Sequence, residues 1–320
     1  MQVKKRTLGH TELEVSLVGL GCGGNSRLGL SAGGSIEQAA GVVRAALDLG
    51  VTLLDTARVY GTEPAVGAAL KGWRRDQVVL SSKSHYLDEN GQLLTVDAFQ
   101  LQIEASLRDL GLEQIDIYFI HGLRLAYYES CRERFVPVLE RARQAGKIRF
   151  FGLTEAFESD TRHEMLQRAL QDVDWDVFMV GFNLLNQSAR ERVLKYTREK
   201  GIGTLGMFAV RRALIDQTWL RSLMARLAES GEIDPALAAA PDFMDALNLN
   251  GVAESLSEAA YRFCAFEPGL DCILSGTSSA EHLRQNLAAV ERGPLPAQVI
   301  AHLGQLFGRV EGFSGNVRAD

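Results

Sequence analysis

The chain has 320 residues, with 34 Lys and Arg against 40 Asp and Glu, which gives a formal net charge of −6. This acidic balance argues against a general electrostatic affinity for nucleic acid or for an anionic membrane, so neither is expected as a partner. No apolar run reaches the roughly 18 residues of a transmembrane helix, and no apolar segment follows the basic N-terminus as in a signal peptide. The four cysteines form neither a CxxC pair nor a zinc-like spacing. We therefore expect free thiols, no metal site and a cytoplasmic location.

Eight short β-like runs alternate with longer amphipathic segments along the chain. Several of the runs are apolar at successive positions, which is typical of parallel strands buried on both faces. Eight repeats of this kind favour a (β/α)8 TIM barrel over an open sheet, in a single domain spanning residues 1–320. The predicted strands are 15–22, 51–56, 77–83, 115–121, 148–154, 175–182, 202–208 and 270–276.

Three segments fall outside the repeat. Residues 1–14 predict a small N-terminal hairpin that closes the bottom of the barrel. Residues 210–250 predict a long, partly helical loop on the catalytic face after strand seven, because the gap between 208 and 270 exceeds one helix. A last helix is predicted at Ala297–Phe307, followed by a loosely held tail.

The glycine run at 19–24, GLGCGG, has two interpretations. A dinucleotide-binding fold would need a helix to begin at these glycines and an acidic residue about 20 residues later. The sequence NSRLGLSAGGS follows instead and is typical of a loop. A glycine-rich strand end that opens onto a pocket is therefore the favoured interpretation.

Four polar residues lie at or just after the ends of predicted strands two, three and four. Asp55 ends VTLLD, Lys83 ends VVLSSK, His121 ends IDIYFIH, and Tyr60 lies five residues after Asp55. Singly, each has an ordinary explanation as a helix cap, a solvated charge or a satisfied polar group. In a parallel barrel, however, the carboxyl ends of neighbouring strands meet at the catalytic face. The four side chains are therefore expected to converge on one site.

These residue types suit general acid–base catalysis. A tyrosine hydroxyl titrates at about 10, and a neighbouring lysine ammonium is expected to lower the pKa of Tyr60. Asp55 would hold Lys83 charged and oriented, and His121 would bind a carbonyl oxygen or share its proton. This set fits the reduction of a carbonyl or the oxidation of an alcohol. Because side chains cannot supply hydride, a nicotinamide cofactor is expected.

The motifs resemble the aldo-keto reductase superfamily. DTA-x-x-YG at 55–61, LSSK at 80–83, IDIYFIH at 115–121 and GTSSAEHLRQNL at 276–287 keep the order of that family, and the likeness runs from about residue 5 to residue 292. The resemblance implies a barrel that binds extended NADP(H), less often NAD(H), without a Rossmann fold. It also implies a catalytic tetrad of Asp55, Tyr60, Lys83 and His121. Tyr60 would be the general acid in reduction and the general base in oxidation.

The cofactor motifs match the family less closely. The Ser-Asn pair that commonly follows strand five corresponds to Thr154 and Glu155, and a common Gln in strand six corresponds to Met179. The aromatic residue that often stacks on the nicotinamide corresponds to Met207, and the Ser after it to Phe208. Met207 can still pack against the ring, with plain core packing as the alternative.

The segment after strand eight suits a phosphate, because hydroxyl and backbone N–H groups gather at a helix start. NADP-binding members often carry Lys or Arg here for the 2′-phosphate. This chain offers Thr277 and Ser278, with His282 and Arg284 nearby. Arg211 and Arg212 either supply the missing positive charge or are solvated surface residues. NADP(H) is expected, with NAD(H) as the alternative. The complete set predicted to contact the cofactor is Gly21, Thr154, Glu155, Met207, Phe208, Arg211, Arg212, Gly276, Thr277, Ser279, His282, Gln285 and Asn286.

The expected substrate is a small carbonyl compound or alcohol, such as an aldehyde, a ketone or a sugar. Loops around the mouth of the barrel are expected to contribute Asn25, Tyr86, Tyr127 and Tyr128 to its pocket. Two other functions stay open. One is a non-catalytic nicotinamide-binding subunit, as in the potassium-channel β-subunits that resemble this family. The other is a Schiff-base barrel with Lys83 as the nucleophile.

Overall fold

A computed structural model describes residues 3–172 and 175–315 of the chain. Eight parallel strands close into a barrel, in the order β10-β3-β4-β5-β6-β7-β8-β9. A two-stranded antiparallel sheet of β1 and β2 precedes them. The (β/α)8 barrel and its N-terminal hairpin are thus confirmed. The strands are β1 Lys5–Thr7, β2 Glu14–Ser16, β3 Val18–Gly21, β4 Leu53–Asp55, β5 Val79–Ser84, β6 Ile115–Leu123, β7 Ile148–Glu155, β8 Val177–Gly181, β9 Gly203–Met207 and β10 Cys272–Gly276.

Helices surround the barrel and follow most of its strands. Seven of the helices in the described residues begin with a Ser, Thr or Asp side chain that accepts hydrogen bonds from backbone N–H groups with no partner inside the helix. None of the helices in the described residues is long and apolar enough to cross a membrane. The helices are α1 Ile36–Asp48, α2 Glu63–Leu70, α3 Val96–Leu110, α4 Tyr128–Gln144, α5 Glu164–Ala169, α6 Lys195–Lys200, α7 Gln217–Glu229, α8 Pro235–Ala238, α9 Phe243–Ala246, α10 Leu256–Ala265, α11 Ala280–Glu291 and α12 Ala297–Phe307.

The hairpin of β1 and β2 closes the bottom of the barrel. Its Leu8, Leu13 and Val15 are at most 5% exposed and pack in one cluster with the first residues of several barrel strands. Gly9 allows this closure, because it has a φ of +52° and a Cβ there would overlap the backbone of Gly203. The hairpin therefore seals the amino ends of the strands and leaves the carboxyl ends as the open end of the barrel.

The connection between β9 and β10 is the predicted long insertion. It contains α7, α8 and α9 before α10, which is the helix that completes the last β/α repeat. The expectation of a loosely held tail after α12 is wrong for residues 311–315. Asn186 Nδ2 donates to the Phe313 carbonyl at 2.8 Å, and Asn183 Nδ2 donates to the Ser314 carbonyl at 3.1 Å. These bonds fasten the tail to the loop that follows β8.

Candidate active site

The barrel register brings three of the predicted catalytic residues to one edge. Asp55 is the last residue of β4 and pairs with Ser81 of β5, while Lys83 of β5 pairs with Phe119 of β6. His121 follows two residues later in β6. The three side chains therefore leave neighbouring strands at similar heights, at the carboxyl end of the barrel.

Asp55 and Lys83 form a buried ion pair. The Lys83 ammonium donates to Asp55 Oδ1 at 2.5 Å and to the Thr56 carbonyl at 2.8 Å. Ser81 Oγ donates to the same carboxylate oxygen at 2.6 Å. Burial disfavours the ammonium, but Asp55 and Tyr60 outweigh it and raise the pKa of Lys83 above its ordinary value. Lys83 is therefore a fixed cation beneath the mouth of the barrel.

Tyr60 lies in a short 3₁₀ turn, Arg58–Tyr60, that follows β4. The turn ends at Gly61, whose φ of +68° is the left-handed conformation that glycine adopts without a Cβ penalty. Arg58 fastens the turn through ion pairs to Glu63 and Asp109. The turn thus aims the Tyr60 side chain back over the barrel.

Gly23 leaves the room that this side chain needs. A Cβ at Gly23 would overlap the Tyr60 ring, so any other residue there would push the ring away. The Lys83 ammonium lies 5.1 Å from the centroid of the Tyr60 ring. Tyr60 Oη lies 3.4 Å from His121 Nε2. The structure therefore brings together all four residues of the predicted tetrad.

The pKa of Tyr60 is raised, whereas the sequence predicts that the neighbouring lysine lowers it. Burial raises the pKa of Tyr60, the Lys83 charge lowers it, and the Asp55 charge raises it again. The net shift is upward, because burial is the largest of these effects and the Asp55 charge partly cancels that of Lys83. Tyr60 is therefore a protonated phenol at neutral pH.

His121 is a neutral imidazole in this setting. Burial lowers the pKa of His121 well below its ordinary value, and the charges of Lys83 and His85 lower it further. Its Nδ1 is buried and has no hydrogen-bond partner among the described residues. A phenol and a neutral imidazole with neighbouring polar atoms can both bind one carbonyl oxygen.

The part of the mouth next to β4, at the ends of β3 and β10, offers space for phosphate groups. Gly21 and Gly276 are paired at the ends of β3 and β10, and a Cβ at either position would have no neighbour nearer than 3.7 Å. The chain then enters α11, whose N-cap Ser279 accepts a hydrogen bond from the His282 backbone N–H. An open glycine floor beside a helix start fits a dinucleotide diphosphate. Thr277 is engaged in the same turn, where its Oγ1 accepts from the Ser279 N–H at 3.0 Å.

Several α11 side chains already have partners within the helix. His282 and Gln285 are exposed, but Gln285 Nε2 donates to Glu281 at 3.3 Å, and Arg284 is also paired with Glu281. Asn286 Nδ2 donates to Ser275 Oγ at 3.0 Å, so the Asn286 amide already has a hydrogen-bond partner within the protein.

Thr154 and Glu155 end β7, but their polar atoms are already paired. Thr154 Oγ1 accepts a hydrogen bond from the Gly122 N–H at 2.7 Å. The fully buried Glu155 carboxylate accepts from His163 Nδ1 at 2.9 Å and from the Gly181 N–H at 2.6 Å. The structure thus turns the Glu155 carboxylate toward His163. Sequence reasoning did not single out His163, because a lone histidine in a loop eight residues after Glu155 forms no pattern.

Met207 ends β9 and Phe208 follows it with a φ of +69°, an unusual conformation for a bulky side chain. The Arg211 guanidinium stacks on the Phe208 ring, with its carbon 4.0 Å from the ring centroid. Arg211 is mostly buried and ion-paired with Glu158, and burial lowers the pKa of Arg211 to about 10. Arg212 differs from it, because it is exposed and stacks on Trp219.

The predicted substrate residues do not all reach the mouth. Asn25 is exposed in the loop after β3, and the Tyr86 and Tyr127 rings contact each other at 5.4 Å between centroids. Tyr128 does not belong with them. It is fully buried as the first residue of α4, and its hydroxyl donates to Asp172 and accepts from Trp175 Nε1. Trp175 precedes β8, at the end of the strand opposite the mouth.

Comparisons with known proteins give the family of this chain. The Aldo/keto reductase family matches residues 19–306, which is most of the chain. The L-galactose dehydrogenase of Arabidopsis thaliana is 26% identical over 296 residues, which cover 90% of this chain and 88% of the plant protein. The NADH-specific methylglyoxal reductase of Escherichia coli is 25% identical over 323 aligned positions, which cover 90% of this chain and 94% of that protein.

A solved structure agrees in the fold. The aldo/keto reductase from Klebsiella pneumoniae, in complex with NADP and acetate, superposes with a TM-score of 0.67 at 22% identity and covers 99% of both chains. The family match extends over the strands that carry Asp55, Lys83 and His121 and over the glycine floor of β3 and β10. This chain therefore belongs to the aldo/keto reductase family of NAD(P)-dependent oxidoreductases.

Proposed function

We propose that this enzyme reduces a small carbonyl compound with a nicotinamide cofactor, and that Tyr60 is its proton donor. The observation that carries the proposal is the protonated Tyr60 phenol, 3.4 Å from a neutral His121 imidazole and beside the Lys83 ammonium. This arrangement supplies a proton, a hydrogen bond and a stabilising charge at one point.

Each residue of the tetrad has a distinct task. Tyr60 Oη and His121 Nε2 bind the substrate carbonyl oxygen between them, and Tyr60 delivers its proton to that oxygen. Lys83 stabilises the phenolate that remains, and Asp55 keeps Lys83 charged and in place. The reduced nicotinamide would supply the hydride when it is bound. The reverse reaction needs Tyr60 as a phenolate, so it is favoured at high pH.

The cofactor is proposed to extend from the centre of the mouth to α11. Met207 would pack against the nicotinamide ring, Arg211 would face the diphosphate, and the α11 start would bind the adenosine end. We propose NADP(H) as the preferred form, supported by the NADP complex of the K. pneumoniae protein. His282 and Ser278 would then bind the additional phosphate. The pairing of Arg284 with Glu281 and the NADH-specific E. coli relative support NAD(H) instead.

The substrate class follows from the charges around Tyr60. The Tyr60 hydroxyl faces the neutral His121 ring, and the Lys83 ammonium beside the Tyr60 ring is paired with Asp55. A neutral aldehyde, ketone or sugar suits such a site better than a strongly charged substrate. A non-catalytic nicotinamide-binding protein is the second candidate, supported by the engaged polar groups of Thr154 and Glu155.

The test begins with parallel titrations of the purified protein with NADPH and NADH. Quenching of the intrinsic fluorescence of Trp73, Trp175 and Trp219 reports binding. The cofactor that binds more tightly is then used in a screen of aldehydes, ketones and sugars. Turnover that Tyr60→Phe abolishes supports the proposal. Binding without turnover on any substrate would support the non-catalytic alternative.

A further inference from the structure

The His121 ring is not oriented by a strong hydrogen bond. A catalytic imidazole is usually fixed by a hydrogen bond at the nitrogen that points away from the substrate. In His121 that nitrogen is Nδ1, which is buried and has no partner among the described residues. The other nitrogen lies 3.4 Å from Tyr60 Oη, at the long end of the hydrogen-bond range. Packing must therefore set the orientation of the ring.

Two rings pack against His121. The Tyr60 ring meets it edge-on, at 5.5 Å between centroids and 89° between planes. The His85 ring is closer and more nearly parallel, at 4.8 Å between centroids and 37° between planes. The two contacts differ in kind, because Tyr60 restrains an edge of the imidazole and His85 restrains its face.

The fold holds His85 in place. His85 follows Ser84, the last residue of β5, whose Oγ lies 2.5 Å from the hydroxyl of the buried Tyr118 on the neighbouring strand. On its other side, the Tyr86 carbonyl accepts a hydrogen bond from the Leu94 N–H at 2.9 Å. The backbone is therefore fixed immediately before and after His85, although its side chain is exposed at the mouth.

The charges of the site favour this contact. The His85 ring is only partly buried, and this partial burial lowers the pKa of His85. Burial, Lys83 and His85 together lower the pKa of His121. Nearby, Tyr60 is protonated and Asp55 is paired with Lys83. Two neutral imidazoles pack against each other without charge repulsion.

We propose that His85 is a positioning residue, which holds the His121 imidazole by ring stacking in the orientation that binds the substrate carbonyl. This inference rests on the proposed function, because it assigns His85 a task in the same reaction. His85 lies two residues after Lys83 and directly follows β5, so continuing the alternation of the strand by one residue places it on the same side as Lys83.

The experiment compares His85→Ala with His85→Phe. Alanine removes the stacked face, so kcat should fall about tenfold, while KM and the affinity for the cofactor stay within about twofold of the wild type. Phenylalanine keeps an aromatic face without hydrogen-bonding atoms, so kcat should recover to within about threefold. An unchanged kcat in His85→Ala would overturn the proposal. A His85→Phe enzyme as slow as His85→Ala would also overturn it, because hydrogen bonding would then be the role of His85.

A second readout does not depend on turnover. The ring proton resonances of His121 in the NMR spectrum should shift and broaden in His85→Ala, and should stay sharp in His85→Phe. Identical His121 resonances in the wild type and both variants would exclude the stacking role. If the wild type turns over no substrate, the proposed function fails, whereas the NMR comparison still decides whether His85 orients His121.

Discussion

The two sides of the barrel mouth differ in how their polar groups are satisfied. On the side of β4 to β6, Asp55, Lys83, Tyr60 and His121 are one another's partners. On the side of β7 to β9, polar groups are paired with residues outside the family motifs. Glu155 binds His163, and Arg211 binds Glu158.

This difference separates two kinds of change. Substitutions on the β4 to β6 side remove groups that act on the substrate, so they should lower the rate. Substitutions on the β7 to β9 side break internal pairs, so they should lower stability or cofactor affinity before they lower the rate.

The largest effect is expected from Tyr60→Phe. Phenylalanine keeps the ring beside Gly23 but removes the only proton donor proposed for the carbonyl oxygen. General acid catalysis typically contributes about 10² to 10⁴-fold, so kcat should fall by that amount. Steady-state assays measure the loss, and fluorescence titration should give the wild-type affinity for the cofactor. Full activity in this variant would show that the tetrad assignment is wrong.

Lys83→Met tests the ion pair beneath the mouth. The substitution leaves the Asp55 carboxylate buried without its cation, and such a loss costs about 3–5 kcal/mol. Urea denaturation should show that decrease in the free energy of unfolding, together with a loss of activity. The matched control is the double variant Asp55→Asn and Lys83→Met, in which no charge is left unpaired. It should regain most of the stability and none of the activity. A stable but inactive Lys83→Met enzyme would show that the pair has no role in folding.

The strands and the tetrad were predictable because their signals are local in the sequence. Apolar runs such as 148–154 match β7 at Ile148–Glu155 almost residue for residue. Asp55, Lys83 and His121 end such runs, so the barrel itself brings them together.

The β7 to β9 side could not be predicted in the same way. Its contacts join segments that are distant in the chain, such as Arg211 with Glu158 and Ser314 with Asn183. Tyr127 and Tyr128 show a second limit. They are adjacent in sequence, but α4 begins at Tyr128 and its first residue turns into the core. Which side of a loop a residue faces depends on where the helix starts.

The pH dependence follows from the raised pKa of Tyr60. Burial raises the pKa of Tyr60 above its ordinary value of about 10, so the phenol stays protonated over the usual assay range. The rate of carbonyl reduction should therefore be constant from about pH 6.5 to 9. Alcohol oxidation needs the phenolate, whose fraction rises about tenfold for each pH unit below the pKa. Initial rates in both directions measure this. A reduction rate that declines between pH 7 and 8 would indicate a lowered Tyr60 pKa instead.

On the other side of the mouth, Glu155→Gln should act on stability. The substitution removes the negative charge that faces His163. It also places an amide N–H₂ group near the His163 and Gly181 donors, so the free energy of unfolding should fall by about 1–3 kcal/mol. The affinity for the cofactor should stay near that of the wild type. Glu164→Gln is the matched control, because Glu164 is exposed at the start of α5. If Glu155→Gln weakens cofactor binding at unchanged stability, the carboxylate faces the cofactor and not only His163.

Arg211→Ala should give the smallest effect, in cofactor affinity rather than in rate. Arg211 lies in the loop directly after β9, whereas the expected site for the 2′-phosphate lies at α11, after β10. A guanidinium at the diphosphate contributes equally to both cofactors, so NADPH and NADH should each bind about tenfold more weakly, as loss of a charge-assisted hydrogen bond predicts. Arg212→Ala is the matched control, since Arg212 is exposed and should change neither affinity. A loss of affinity for NADPH alone would indicate that Arg211 binds the 2′-phosphate. Unchanged affinity for both cofactors would indicate that its only role is the ion pair with Glu158. In that last case neither arginine would bind the cofactor. The diphosphate would then be bound by the backbone N–H groups at the start of α11.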